Sequence, residues 1–224
     1  MYILAFDTTS NSLSIALNKD NTTLSEITIS PSSNQSELLI PRIEEILKQN
    51  HIFYQDLSLI AATSGPGSFA GSRIGLTAAR TIKLATKQPL ILLNSCQVIA
   101  FKHQEKLNKH KQIFVTLDAR ANEIFYATYK SLEDINSIKV VPQITTTKNI
   151  RNLIPKEDFF LCGSANSIIT PILQSNNFLH ATENDVIEAK FIAQMAFKLY
   201  NTNYKAVDLN PLYLRSPRIT KRKK

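Results

Sequence analysis

Four of the chain's five glycines, Gly65, Gly67, Gly71 and Gly75, fall within the eleven residues GPGSFAGSRIG. So much backbone freedom in a glycine-poor chain marks a place where the main chain turns tightly or approaches something closely. Phosphate cradling is the first chemistry to weigh. A Walker loop needs four residues between its glycine and a Gly-Lys pair, but Ala70 follows that interval and no lysine comes after it until Lys83. A dinucleotide fingerprint fits Gly65, Gly67 and Ala70. The ribose-binding acid expected about 20 residues further on is missing, since no Asp or Glu occurs from residue 57 to 104. Two readings stay open, a strand-to-helix turn whose glycines permit packing and a contact with another molecule.

Other reactive side chains are sparse. His51, His103, His110 and His180 include no H-x-x-x-H pair that would set two imidazoles on one helix face, so no metal site is expected. Cys96 and Cys162 are far apart without C-x-x-C spacing and are expected to be inert core thiols. No G-x-S-x-G elbow offers a serine nucleophile. Asp7 and Asp118 each close a short apolar run, followed by Thr8-Thr9-Ser10 and by Ala119-Arg120-Ala121.

The elements that must position these residues follow from periodicity. Residues 2 to 7, 12 to 18 and 23 to 29 read as a three-strand meander. Asn34 with Glu37 three residues later signals a helix start, and Leu39, Ile40, Ile43, Ile46 and Leu47 make its stripe, with a kink expected at Pro41. A strand at 58 to 64, a helix from about 71 to 87, a strand at 89 to 93 and a helix from about 95 complete the first half. The second half reopens with a strand at 114 to 118 and another from Glu123. Setting Asp7 on Asp118 also sets Asn11 on Asn122 and Ala16 on Ala127, an offset of 111 residues. A repeat that long is a duplicated lobe rather than a solenoid unit. Further on, a strand near 158 to 162 and helices at about 164 to 175 and 185 to 201 are expected, the last with Ile187, Phe191, Met195 and Leu199 on one face.

The 224 residues, 43% hydrophobic, can bury a substantial core. No apolar run is long enough for a membrane span, and Asp7 comes too early for a signal peptide, so a cytoplasmic protein without membrane contact is expected. The formal charge of +8 is concentrated. Six of the 26 basic residues lie in the last ten, and without them 20 basic face 18 acidic residues, or +2. The basic tail is read either as a solvated end or as a salt-sensitive attraction to RNA phosphates.

Two βββαβαβα lobes resemble the actin-like fold shared with Hsp70 and sugar kinases (ASKHA, ribonuclease H-like, α/β). The resemblance sharpens in motifs: Asp7-Thr8-Thr9-Ser10; Ser36-Glu37-Leu38-Leu39 with Pro41; Gly65-Pro66-Gly67-Ser68-Phe69 with Gly71 and Arg73-Ile74-Gly75; Asp118-Ala119-Arg120; and Tyr213-Leu214-Arg215. In order and spacing these resemble the TsaB (YeaZ) family, although Ala70 and Gln35 stand where that family usually has threonine and histidine. The resemblance implies lobes at 1–106 and 107–214 with a tail at 215–224. It implies a subunit without a competent active site, which pairs with the catalytic relative TsaD, works with the ATPase TsaE on a tRNA adenosine, and can form homodimers through the same surface.

Turns after the first strand of each lobe contact phosphates in kinases of this fold, usually through a glycine that lets N–H groups approach. Here Asp7, Thr8, Thr9, Asp118 and Arg120 are candidate ligand contacts, but both turns lack glycine, so no hydrolysis by the isolated chain and no required cofactor are expected. ATP or ADP at the partner boundary stays open, as does tRNA contact, indirect or through the tail. The interface is expected on Glu37, Leu38, Pro41, Gly65, Pro66, Gly67, Ser68, Phe69, Gly71, Arg73, Ile74, Gly75, Thr77, Ala78 and Arg80. Gly71, Gly75 and Ala79 would let another helix lie close, either this chain's first helix or a foreign one. Under the foreign-helix reading, Gly75→Trp is expected to block association while the chain stays folded. An active actin-fold ATPase or kinase, and a peptidase acting on a partner protein, are the alternatives.

Overall fold

The computed structural model describes residues 1–137, 139–173, 179–180, 185–202 and 210–214, with 179 and 180 as backbone only. The basic tail lies outside the described residues, as does the side chain of His180.

The first half builds β1 (Tyr2–Asp7), β2 (Leu13–Lys19), β3 (Thr22–Ile29), α1 (Gln35–Gln49), β4 (Leu57–Gly65), α2 (Phe69–Thr86), β5 (Leu90–Asn94) and α3 (Ser95–Lys102). This is the order the sequence predicts. The second half contributes β6 (Ile113–Asp118), β7 (Glu123–Tyr129), α4 (Leu132–Ile135), β8 (Gln143–Thr146), β9 (Phe160–Cys162), α5 (Asn166–Ile169), β10 (Leu179–His180) and α6 (Ala189–Asn201). The two sheets share one strand order, β3-β2-β1-β4-β5 and β8-β7-β6-β9-β10. In each, the first three strands form an antiparallel meander and the last two join in parallel.

Burial explains the composition of these strands. β1 is an uninterrupted apolar run because both its faces are covered. Leu4 and Phe6 face α1 and α2 with Leu39, Ile43, Ile46, Leu76 and Ile82, while Ile3 and Ala5 face the opposite side. That opposite side is one core shared by both sheets, filled by Val98, Ile99 and Phe101 of α3 and by Ile192, Met195 and Leu199 of α6. Helix α6, from the second half, lies across β1, β2 and β3, and α3, from the first half, packs on β6. A third core under α5 holds Phe114, Phe159 and Leu161.

Several expectations change in detail. Asn34 does precede α1, but its side chain makes no capping bond, because its backbone (φ −108°, ψ 37°) leaves the extended region a cap requires. The helix expected over 164 to 175 is a single turn, α5, followed by a 3₁₀ turn at Thr170–Leu173. A proline at 171 stands in the middle of that stretch and removes a helical donor. Helix α6 begins at Ala189, so Ile187 belongs to the preceding segment, although it is buried in the same core.

The internal repeat also needs a correction. Ala16 and Ala127 both face the shared core, and Ser14 pairs with Asp7 as Phe125 pairs with Leu117. The counterpart of Asp7 is therefore Leu117, and Asp118 is one residue further along. Because side chains alternate across a strand, that single step puts Asp118 on the other face.

Candidate functional site

The first turn closes on itself. Asp7 is fully buried, and its Oδ1 accepts the Thr9 N–H (3.0 Å), the Thr9 hydroxyl (2.6 Å) and the Thr63 hydroxyl. Its Oδ2 accepts the Ser10 hydroxyl at 2.5 Å and, at 3.4 Å, the Ser10 N–H. The amides that a phosphate-binding turn would aim at its anion thus already face a carboxylate of the chain itself. Thr9 Oγ1 lies 3.0 Å from Ser95 Oγ at the start of α3, which ties the turn to the shared core.

The glycine loop fills what remains. Ser68 donates its N–H to the Thr9 carbonyl at 2.7 Å, and the Thr8 hydroxyl donates to the Gly71 carbonyl at 2.7 Å. A Cβ on Gly67 would sit 2.2 Å from the Thr9 carbonyl oxygen, one on Gly71 1.8 Å from that of Thr8, and one on Gly75 2.5 Å from Thr8 Oγ1. These glycines exist because the β1–β2 turn lies against them. The strip Gly71, Gly75 and Ala79 is therefore turned inward, and the expectation that Gly75→Trp would leave the chain folded is overturned by that contact. Gln35, which the sequence marks only as a departure from the family pattern, has a structural part here. Its buried amide donates to the Ser10 and Ser12 carbonyls at 3.0 and 2.7 Å, holding the same turn from the side of α1.

The remaining predicted interface residues divide by exposure. Gly65, Pro66, Gly71 and Gly75 are buried, whereas Glu37, Pro41, Gly67, Phe69, Arg73, Thr77 and Arg80 are exposed, with Leu38, Ser68, Ile74 and Ala78 between. The outer face of α2 carries Phe69 and Leu84, the latter 81% exposed, between Arg73, Arg80 and Lys87. The outer face of α1 carries Glu37, Ile40 and Glu44. Ser68 caps α2 by accepting the Gly71 N–H at 3.1 Å, which fixes where this basic, apolar face begins.

The second turn is open. Asp118 and Arg120 are exposed, the Arg120 N–H donates to Asp118 Oδ1 at 2.7 Å, and Arg120, Ala121 and Asn122 all have φ near +60°. Asp7 is thus buried in its own turn and Asp118 exposed at its own.

A third cluster was not legible in the sequence because its members come from separate segments. His103 Nε2, Cys162 Sγ and an Asp185 carboxylate oxygen lie within 4.8 Å of one another, a donor set that a metal could use. The positive charge facing Asp185 is the Lys102 ammonium, 3.0 Å from it and 2.7 Å from Glu188. Burial alone would raise the Asp185 carboxyl, but the His103 hydrogen bond and charge, with Lys102, outweigh it and hold the carboxyl below its ordinary value. Burial pushes the Cys96 and Cys162 thiols up, so both are protonated and inert. Among the described residues no helix is long and apolar enough to cross a membrane.

A family model described as "TsaD: tRNA N6-adenosine threonylcarbamoyltransferase" matches residues 22–205. The Escherichia coli K12 tRNA threonylcarbamoyladenosine biosynthesis protein TsaB is 31% identical over 134 residues, 60% of this chain and 57% of that protein. The match therefore spans little more than half the length of that relative. Among solved structures, YeaZ from Pseudomonas aeruginosa superposes with a TM-score of 0.78 at 18% identity, over 95% of this chain and 99% of that one. Component A of (R)-2-hydroxyglutaryl-CoA dehydratase from Acidaminococcus fermentans follows at 0.51 and 9%, over 88% and 98%. These two likenesses establish the actin-like fold. With the family model covering most of its length, the chain belongs to the TsaD-type threonylcarbamoyltransferase family and, within it, to the TsaB (YeaZ) family.

Proposed function

We propose that this protein is a cytoplasmic subunit without chemistry of its own in the formation of threonylcarbamoyladenosine on tRNA. It docks the catalytic relative TsaD through the outer faces of α1 and α2 and works alongside the ATPase TsaE. One observation carries the reading. At the first turn, where a nucleotide-using member of this fold would present amides to a phosphate, the Thr9 and Ser10 amides face the Asp7 carboxylate and the glycine loop packs on the Thr8 and Thr9 carbonyls. An incoming phosphate would meet a buried carboxylate there, and the Thr9 and Ser10 amides are already engaged by it. A nucleotide at a subunit boundary would be met instead by the exposed Asp118 to Asn122 turn. No metal or cofactor is required under this reading, and Lys102 supplies the charge at Asp185. A second copy of the chain would compete for the same α1 and α2 faces.

Purified chain is expected to hydrolyse ATP at the background rate. It should co-elute with TsaD and be needed for tRNA modification in a reconstituted mixture. ATP turnover by the chain alone that disappears in Asp7→Asn, a variant that keeps the size of the carboxylate, while the denaturation midpoint holds, would overturn the reading.

A further inference from the structure

The last described segment, residues 210–214, returns to the glycine loop. The Leu212 N–H donates to the Ser64 carbonyl at 2.8 Å, extending the end of β4 by one backbone pair. The Leu212 carbonyl lies 3.1 Å from where a Gly65 Cβ would be, and Gly65 has φ +104°, so the loop is shaped to admit this strap. Asn210 Oδ1 accepts from Arg80 at 3.2 Å. The Tyr213 ring lies against that of Phe69, tilted by 33° with centroids 5.1 Å apart, and the Arg73 guanidinium lies 5.4 Å from the Phe69 ring centroid. Tyr213 and Phe69 are each about half exposed, at 47% and 49%.

We infer that this strap completes the docking surface, with the Tyr213, Phe69 and Arg73 stack as its anchor and an acidic helix of a second actin-fold subunit as its occupant. The inference rests on the docking role proposed above. A half-exposed aromatic pair with an arginine, held rigid by its own backbone, is the kind of group that dominates interface energetics. The charge names the occupant. Arg73, Arg80 and Lys87 line this face, and the chain from 57 to 104 holds no carboxylate, so the complementary surface carries Asp or Glu. The chain's own α1, exposing Glu37 and Glu44 beside Ile40, shows that a helix of this chemistry occurs in the fold. The strap acts on binding by holding Phe69 and Arg73 in place before the partner arrives, which lowers the ordering cost of association.

The test measures association of full-length chain with its cognate TsaD-type subunit for Tyr213→Ala, Tyr213→Phe and Arg73→Glu. Tyr213→Ala is expected to weaken association at least ten-fold and Tyr213→Phe by less than two-fold, with unfolding midpoints unchanged. Should Tyr213→Ala lower the midpoint, Tyr213→Leu, which keeps apolar cover on Phe69, replaces it with the same ten-fold loss expected. If Arg73→Glu abolishes association while the Tyr213 variants bind as wild type, the strap has no part in docking and the inference falls alone. If none of the three changes association, the docking surface on α2 falls with it.

Discussion

The two hairpins that open the halves of this molecule diverge in what their turns are for. In the first, Asp7 is buried, the amides of Thr9 and Ser10 and the hydroxyls of Thr9, Ser10 and Thr63 point at it, and Gly67, Gly71 and Gln35 press the turn from two sides. In the second, Leu117 takes the Asp7 position and packs in the shared core, while Asp118 stands one residue on in solvent. The same backbone pairing therefore supports a polar plug in one lobe and an open turn in the other. A carboxylate at the end of a strand is not evidence of a ligand site until its face is known, because one residue of register decides whether its partners are the chain's own hydroxyls or water.

Removing the plug should have the largest effect. Asp7→Ala leaves the hydroxyls of Thr9 and Thr63 and the Thr9 amide buried without their acceptor, and is expected to cost about 3–5 kcal/mol in chemical denaturation, at the upper end for a point substitution. If Asp7→Ala loses under about 1 kcal/mol, the turn is looser than its hydrogen bonds imply and the contrast between the lobes fails.

Next come the glycines that admit a carbonyl. Gly71→Ala would set a Cβ 1.8 Å from the Thr8 carbonyl oxygen, and Gly163→Ala one 2.1 Å from that of Thr116 at a φ of +109°. Alanine ordinarily favours a helix over glycine by about 1 kcal/mol, so a net loss at Gly71 is a lower bound on the clash. Each variant is expected to lose about 2–3 kcal/mol. Equal losses would show that close backbone approach is preserved in both lobes even though the turns have diverged.

The Asp185 cluster joins the halves and gives a pH signature. Asp185 and Glu188 are both held below their ordinary values. For each, burial alone would raise the carboxyl, and hydrogen bonds and charge from His103 and Lys102, or from Lys102 and Lys190, outweigh it. A depressed carboxyl stabilises the fold above its unfolded pKa, about 4, and that stabilisation is lost as pH falls through the folded value. The denaturation midpoint is expected to hold steady from about pH 7 to 5 and to fall below about pH 4. Asp185→Asn should lower the midpoint at neutral pH and flatten the acid limb. An unchanged acid limb would place the loss elsewhere.

The first lobe was legible because its elements are long and periodic, and α1, β4 and α2 fall within two residues of expectation. The motif at residues 65–75 was visible too, but its purpose was not. Glycine spacing reports that something approaches, and only the folded chain shows that Thr8 and Thr9 do. Thr63, Gln35 and Ser95 contribute to the turn through contacts 23 to 86 residues away in sequence, which no local pattern encodes. The second lobe was harder to read because its helices α4 and α5 are single turns and its strands β8, β9 and β10 are two to four residues long, too short for either period to register, whereas the longer α6 was visible.

The smallest expected effect sharpens the comparison most. Asp118 is exposed; its carboxylate accepts the Arg120 N–H, and its own N–H donates to Ser164 Oγ. Asp118→Ala removes only the first of these, and an exposed turn amide can turn to water instead, so stability should change by no more than about 0.5 kcal/mol. That near-neutrality makes the position informative for function where Asp7 is not, since a loss of activity in an Asp7 variant is confounded by unfolding. If tRNA modification by the reconstituted mixture drops several-fold in Asp118→Ala while the denaturation midpoint and association with TsaD hold, the open turn meets a ligand at the subunit boundary. If all three match wild type, the second turn is surface, and any nucleotide in the assembly is held by another subunit.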